Sequence, residues 1–220
     1  MLPTPNLDHI TSNDYENVYE PAEDTFLFLD ALENDIEFIK NDVNPCICLE
    51  IGSGTGCVST FLGQLLGDGA TLLLCTDVNP FATAITVKTA IRNSIHLDAI
   101  TTNFTSGLLP RLYHKVDILC FNPPYVVTSS EDVNSKNFIE RAWAGGIYGR
   151  EVIDRMLPLV NDLLSSNGVF YLLVISDNKP DEICERMWRD YKFQFKISAS
   201  RLAGREKQFI LKFWRNQTCM

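Results

Sequence analysis

No apolar run in the sequence approaches the roughly 18 to 20 residues that cross a bilayer; the longest, Val169 to Ile175, has the length of one buried strand. A helical membrane span is therefore excluded. The polar N-terminus, Met1 to Asn13, lacks the apolar core of a secretory signal, so the mature chain is expected to begin near Met1 and to stay inside the cell. Positive charge is scarce as well. Nineteen Lys and Arg against 28 Asp and Glu leave a net charge of -9, which repels a phosphate backbone unless the basic residues gather on one face. Nucleic acid is disfavoured as a partner. There is no CxxC pair and no histidine at zinc-ligand spacing, although the chain holds seven cysteines: Cys46, Cys48, Cys57, Cys75, Cys120, Cys184 and Cys219. Most lie inside apolar runs and read as buried, reduced thiols, so no metal site is expected. His9, His96 and His114 are scattered singly, as surface or satisfied structural groups usually are. Repeats, low-complexity tracts and Gly/Ser linkers are absent too, so residues 1–220 read as a single domain in which 1–17 form an N-terminal extension.

What is present is an alternation. Branched apolar runs suited to buried strands occur at Cys46 to Ile51, Thr71 to Thr76, Leu97 to Thr102, Val116 to Phe121 and Val169 to Ile175. Helical patterns fall at Ala22 to Ile39, Gly56 to Leu66, Pro80 to Asn93, Arg150 to Leu164 and Pro180 to Tyr191, three of them with Pro at or near the first position. This is the rhythm of a parallel α/β sheet. Two further strand-like runs, Phe193 to Ala199 and Gln208 to Trp214, predict a closing hairpin. The connection from Phe121 to Arg150 is roughly thirty residues with little regular pattern, and connections that long in compact domains are usually functional.

Two constellations carry chemistry. Leu49-Glu50-Ile51-Gly52-Ser53-Gly54-Thr55-Gly56 follows the first strand and opens a helix, where glycines let the backbone pass close to a ligand. Asp77, at the end of the second strand, is placed to accept from a ribose diol. A dinucleotide loop would have glycine three residues after Gly54, where Cys57 stands instead, and Glu50 is a poor neighbour for a pyrophosphate. The carboxylate suits a cationic amino-acid portion, and S-adenosylmethionine carries one beside its ribose. Further on, Val116 to Phe121 runs straight into Asn122-Pro123-Pro124-Tyr125. Successive prolines stiffen the backbone. The Asn122 side-chain oxygen and the Pro123 carbonyl can then converge on a planar NH2 group, with Tyr125 as an aromatic wall. No dedicated general base is evident, so catalysis must rest on positioning and polarisation.

With Glu50 to Gly56, Asp77 and Asn122 to Tyr125 in place, the sequence resembles the Rossmann-like amino methyltransferases that use S-adenosylmethionine. Tyr19 to Thr25, Ala142 to Gly146 and Gly149 to Glu151 narrow the resemblance to the eukaryotic and archaeal HemK-like glutamine methyltransferases of class 1 translation release factors, over about Val18 to Phe213. The resemblance implies a seven-stranded, mostly parallel sheet whose last strand is antiparallel. It implies N5-methylation of the glutamine in a Gly-Gly-Gln loop. Tyr19, Thr25, Glu50, Gly52, Gly54, Asp77, Asn103, Phe104 and Asn122 are the implied cofactor contacts, with Asn122, Pro123 and Tyr125 catalytic and Asn122, Pro123, Pro124 and Tyr125 around the substrate. The family usually has Asp where this chain has Asn103, which keeps an acceptor oxygen for the adenine amino group and loses the charge; Phe104 is placed to pack on the ring. The resemblance also implies a heterodimer with a small zinc-binding activator subunit. Its strand order puts the third strand, rich in Leu, Ala, Ile and Thr, at a sheet edge open to pairing. The cytoplasm is the expected compartment, with the nucleus as a second.

An NPPY site grips an NH2 without specifying what bears it. Lysine in a protein tail and adenine N6 in DNA therefore stay open as acceptors, although a charge of -9 speaks against DNA. A catalytically inactive scaffold that binds the cofactor only to support a partner also stays open.

Overall fold

The computed structural model describes residues 2–67 and 71–215. In chain order the elements are α1 (Glu23–Asn34), α2 (Ile36–Phe38), β1 (Ile47–Ile51), α3 (Cys57–Leu66), β2 (Leu72–Asp77), α4 (Pro80–Arg92), β3 (Asp98–Thr101), α5 (Leu109–Leu112), β4 (Val116–Phe121), α6 (Phe138–Trp143), α7 (Glu151–Leu163), β5 (Leu164–Ile175), α8 (Pro180–Tyr191), β6 (Phe193–Ala203) and β7 (Glu206–Arg215), with short 3-10 and π turns between some of them. The seven strands form one sheet in the order β3-β2-β1-β4-β5-β7-β6. β3, β2, β1, β4 and β5 pair in parallel, and β7 enters antiparallel between β5 and β6.

Both faces of the sheet are covered, which is why the strands are apolar at nearly every position. Along β4, Ile118 and Cys120 face a core built with Phe28, Leu32 and Phe61, while Leu119 and Phe121 face Met156 and Ile183. Strand order reverses between β1 and β4, the place where open α/β sheets leave a crevice at the strands' carboxyl ends. In-register pairing of Ile51 with Thr76 and with Phe121 brings the ends of β1, β2 and β4 level there.

Three predicted boundaries shift. The helix expected over Ala22 to Ile39 breaks at Asp35, whose carboxylate accepts from Tyr171 (3.0 Å), Ser198 (3.1 Å) and Lys212 (2.8 Å) and pins the chain to the sheet. β5 begins at Leu164 because Leu164 pairs with Val116 ahead of an irregularity, and a Cβ on Gly168 would lie 2.6 Å from the Val116 carbonyl. The closing hairpin extends to Ala203 and Glu206, across a turn that holds Gly204 at φ +60, because backbone pairing carries on past the apolar run. The six cysteines among the described residues are free thiols, five of them buried; Cys219 lies outside those residues. Among the described residues, no helix is long and apolar enough to cross a membrane.

Candidate active site

A cavity of about 410 Å³ opens at the strand ends. Tyr19, Thr25, Glu50, Gly52, Gly54, Asp77, Asn103, Phe104, Asn122, Pro123, Pro124 and Tyr125 all line it, so the structure brings every site residue expected from the sequence together.

Gly52, Gly54 and Gly56 all adopt left-handed backbone conformations. At Gly56 the reason is close packing, since a Cβ would come within 2.9 Å of the Thr86 Cα on α4. At Gly54 a Cβ would meet nothing within 4 Å, and Gly54 lines the cavity. Its N–H donates to Asp77 Oδ2 (3.0 Å), and Asp77 Oδ1 accepts from the Asn79 N–H (2.8 Å). Burial pushes the Asp77 carboxyl upward, against the pull of the Gly54, Asn79 and Val78 backbone N–H groups.

Glu50 lies in register with Cys75 on one side and Cys120 on the other. It is buried, and it accepts from the Ser59 N–H (3.1 Å) and the Ser59 hydroxyl, capping the first turn of α3 from the neighbouring strand. Burial drives its carboxyl up to about 8, with Asp77 adding to the rise and Ser59 opposing it. The carboxyl is thus held largely protonated near neutral pH, and an ammonium brought beside it would favour the ionised form. The folded protein keeps a proton that the unfolded chain, at 4.5, gives up. This contribution to stability is complete below the unfolded value and is lost as pH rises through about 8. The Tm of ligand-free protein should therefore fall more steeply between about pH 5 and 8 than that of Glu50→Gln, and parallel slopes in scanning calorimetry would refute the assignment.

The end of β4 presents Asn122. Its Nδ2 donates to Asp24 Oδ2 (3.1 Å), while its Oδ1 is buried with no hydrogen-bond partner among the described residues. The Tyr125 hydroxyl also donates to Asp24 Oδ2 (3.3 Å). Behind this loop, buried Asn178 donates to the carbonyls of Tyr125 (2.8 Å) and Tyr148 (2.9 Å) and accepts from the Ile175 N–H (2.8 Å). The Ala142 to Gly146 motif packs there as backbone, since a Cβ on Gly145 would lie 2.7 Å from the Pro124 carbonyl. Phe104 stands edge-on to Phe121, with the Arg155 guanidinium 6.0 Å from its ring centre.

Sequence reasoning missed Asp24 and Asn178. The long connection, expected to be functional and with residues 131–140 over the acceptor pocket, does reach the cavity; what went unforeseen is its helix α6, which supplies Phe138, Arg141 and Trp143 to the wall. As a sequence letter Asp24 is only an acid favouring a helix start. Its spacing to Phe28 and Leu32, four and eight residues on, nevertheless puts it on the buried face of α1.

No protein-family model matches the chain. It is 49% identical to human methyltransferase HEMK2 over 213 residues, covering 97% of each chain. It is 37% identical to the fission yeast eRF1 methyltransferase catalytic subunit mtq2, covering 98% of this chain and 96% of that one. The chain belongs to the HEMK2/Mtq2 methyltransferase family. Like its relatives in the HEMK2/Mtq2 family, it is a methyltransferase. Its fold matches the catalytic chain of the E. cuniculi Mtq2–Trm112 complex, which methylates the termination factor eRF1, with a TM-score of 0.64, 26% identity, and coverage of 91% of this chain and 99% of that one. Likeness to the HEMK2/Mtq2 proteins thus extends over nearly the whole length of the chain, in sequence and in fold.

Proposed function

We propose that this protein methylates the side-chain amide nitrogen of the glutamine in the Gly-Gly-Gln loop of a class 1 release factor, using S-adenosylmethionine and working with a small zinc-binding activator subunit. The observation that carries this reading is the buried, unpartnered Asn122 Oδ1 in the cavity wall, an acceptor with no donor of its own.

The residues present fit S-adenosylmethionine. Glu50 and Asp77 supply two carboxyls for an ammonium and a ribose diol, Gly52 and Gly54 leave the cradle free of side chains, and Phe104 offers a ring beside Asn103 for an adenine. Tyr19 and Thr25 close the wall from the start of α1. When bound, the cofactor supplies an electrophilic methyl group on a sulfonium. Asn122 Oδ1 and the Pro123 carbonyl accept the two N–H groups of the acceptor amide, which turns the nitrogen lone pair toward the methyl. Pro123 and Pro124 hold that pair stiff, so little freedom is lost at the moment of reaction; orientation of this kind is worth up to about 7 to 11 kcal/mol. The proton that the nitrogen sheds stays hydrogen-bonded at Asn122 Oδ1 until water takes it.

Support for a partner comes from β3, which lies at the sheet edge, as expected. Beside it, α4 exposes Val87 and Ile91, the latter 72% accessible. An open strand next to an apolar helix face suits strand addition by a second chain.

The test is a methyl-transfer assay with labelled S-adenosylmethionine, with and without the activator, offering a release factor, histone tails and duplex DNA separately. Label located by mass spectrometry on the Gly-Gly-Gln glutamine is the expected result. Label confined to lysine or adenine would keep the chemistry and overturn the substrate, and cofactor binding without transfer to any of them would make the chain a scaffold.

A further inference from the structure

Asp24 is 2% exposed, yet each of its hydrogen-bond donors is a neutral group. Its Oδ1 accepts from the Thr25 N–H (2.7 Å), the Thr25 hydroxyl (3.4 Å) and the Tyr19 hydroxyl (3.4 Å), and its Oδ2 accepts from Asn122 Nδ2 (3.1 Å) and the Tyr125 hydroxyl (3.3 Å). Arg201 reaches the same helix but pairs with Glu23 and Asp30 on either side of it.

Both carboxyl oxygens of Asp24 are occupied as acceptors, so the groups that face it donate. For the two phenols this is a restraint on titration: burial first, and then Asp24, raise both, and Tyr19 reaches about 12. For Asn122 it is a restraint on geometry. A carboxamide can turn over and exchange oxygen for nitrogen at almost no cost in shape. Turned over here, it would press its oxygen against Asp24 Oδ2 and point its NH2 group at the acceptor, leaving donor against donor. With Nδ2 held by the carboxylate, Oδ1 has one direction left, and it is the atom found buried and unpartnered.

We propose that Asp24 is a positioning residue which locks the Asn122 amide in the one orientation that presents an oxygen to the methyl acceptor. The hydrogen bond from Nδ2 to Asp24 also polarises the amide, so Oδ1 becomes a stronger acceptor than an isolated Asn would offer. Asp24 also lines the cavity, and in this role it acts through Asn122. What the acceptor is rests on the glutamine-methyltransferase reading above.

Asp24→Asn keeps the shape and the ability to accept from Thr25, and it removes the requirement that Asn122 donate. Its kcat should fall about 10- to 100-fold, while KM for the release factor and Kd for S-adenosylmethionine stay within about threefold. Asp24→Asn combined with Asn122→Ala should be no slower than Asn122→Ala alone, to within about threefold, because the first residue acts through the second. An Asp24→Asn variant with normal kcat, or a double variant that multiplies the two losses, would leave Asp24 as a structural residue of α1 and overturn the proposal. A second readout does not depend on turnover. The Asn122 side-chain NH2 should exchange slowly by NMR in the wild type and quickly in Asp24→Asn, while an unchanged circular dichroism spectrum shows the variant folded. Equal exchange in the two proteins would sink the lock. Failure of the wild type to label glutamine, with the exchange difference intact, would instead sink the substrate assignment and leave the lock standing.

Discussion

Asn122→Ala lowers kcat by about two to three orders of magnitude and leaves S-adenosylmethionine affinity within about threefold. The expected size follows from what is removed. Asn122 Oδ1 is a buried acceptor already stripped of water and already aimed, so no reorganisation is needed when an amide N–H arrives. Losing one preorganised group of this kind is worth about 3 to 4 kcal/mol of transition-state stabilisation. Cofactor affinity survives because Glu50, Asp77 and the Gly52 to Gly54 cradle hang on β1 and β2, with bonds of their own to Ser59, Gly54 and Asn79. The cost to the fold is smaller, since Asp24 keeps Thr25, Tyr19 and Tyr125 as donors after Asn122 is gone. Steady-state kinetics beside calorimetric titration of the cofactor checks both halves. Normal turnover would remove Asn122 from the acceptor site, and a loss confined to cofactor binding would move it to the cradle.

The asymmetry between cradle and acceptor site also decides how much of each is legible in the sequence. Strand ends announce themselves: Glu50, Asp77 and Asn122 each terminate or follow an apolar run in β1, β2 and β4, and a parallel sheet must bring those ends level. Strand and helix centres are likewise visible, as continuous apolar runs and as patterns of period 3.6, and Val116–Phe121 and Pro180–Tyr191 fall where those signals put them. Asn178 leaves no such trace. It sits in a short turn after β5 among Ser176, Asp177 and Lys179, and its burial comes from the Tyr125 and Tyr148 carbonyls brought to it from distant parts of the chain. Helix α6 is hidden for a related reason: at six residues it is too short for a periodic signal, and its start rests on the Asn137 side chain accepting from the Ile139 N–H. Local chemistry can be read from neighbours in sequence, whereas a knot of backbone carbonyls around one amide exists only after folding.

That knot makes Gly149→Ala the most damaging single methyl group for the acceptor loop. Gly149 has φ +64, and an added Cβ would lie 1.9 Å from the Tyr125 carbonyl oxygen and 2.5 Å from Asn178 Nδ2. These two atoms share a 2.8 Å hydrogen bond, so the methyl group enters between donor and acceptor. Left-handed strain in a non-glycine residue costs about 1 to 2 kcal/mol, and leaving buried polar groups unpaired adds about 1 to 3 kcal/mol. A loss of about 2 to 5 kcal/mol is expected, which in a chain of this size lowers Tm by on the order of 10 °C. Gly204→Ala is the matched control: its φ is +60, and its added Cβ would meet nothing within 4 Å. That variant should show only the conformational cost, about 1 to 2 kcal/mol. The difference between the two melting temperatures isolates the clash, and it should be accompanied by loss of methyl transfer in Gly149→Ala alone, because the Tyr125 carbonyl cannot retreat without moving the Asn122 to Tyr125 loop. Equal melting temperatures would mean that the loop gives way freely, and the stiffness assigned to it would then have to come from Pro123 and Pro124 without help from Asn178.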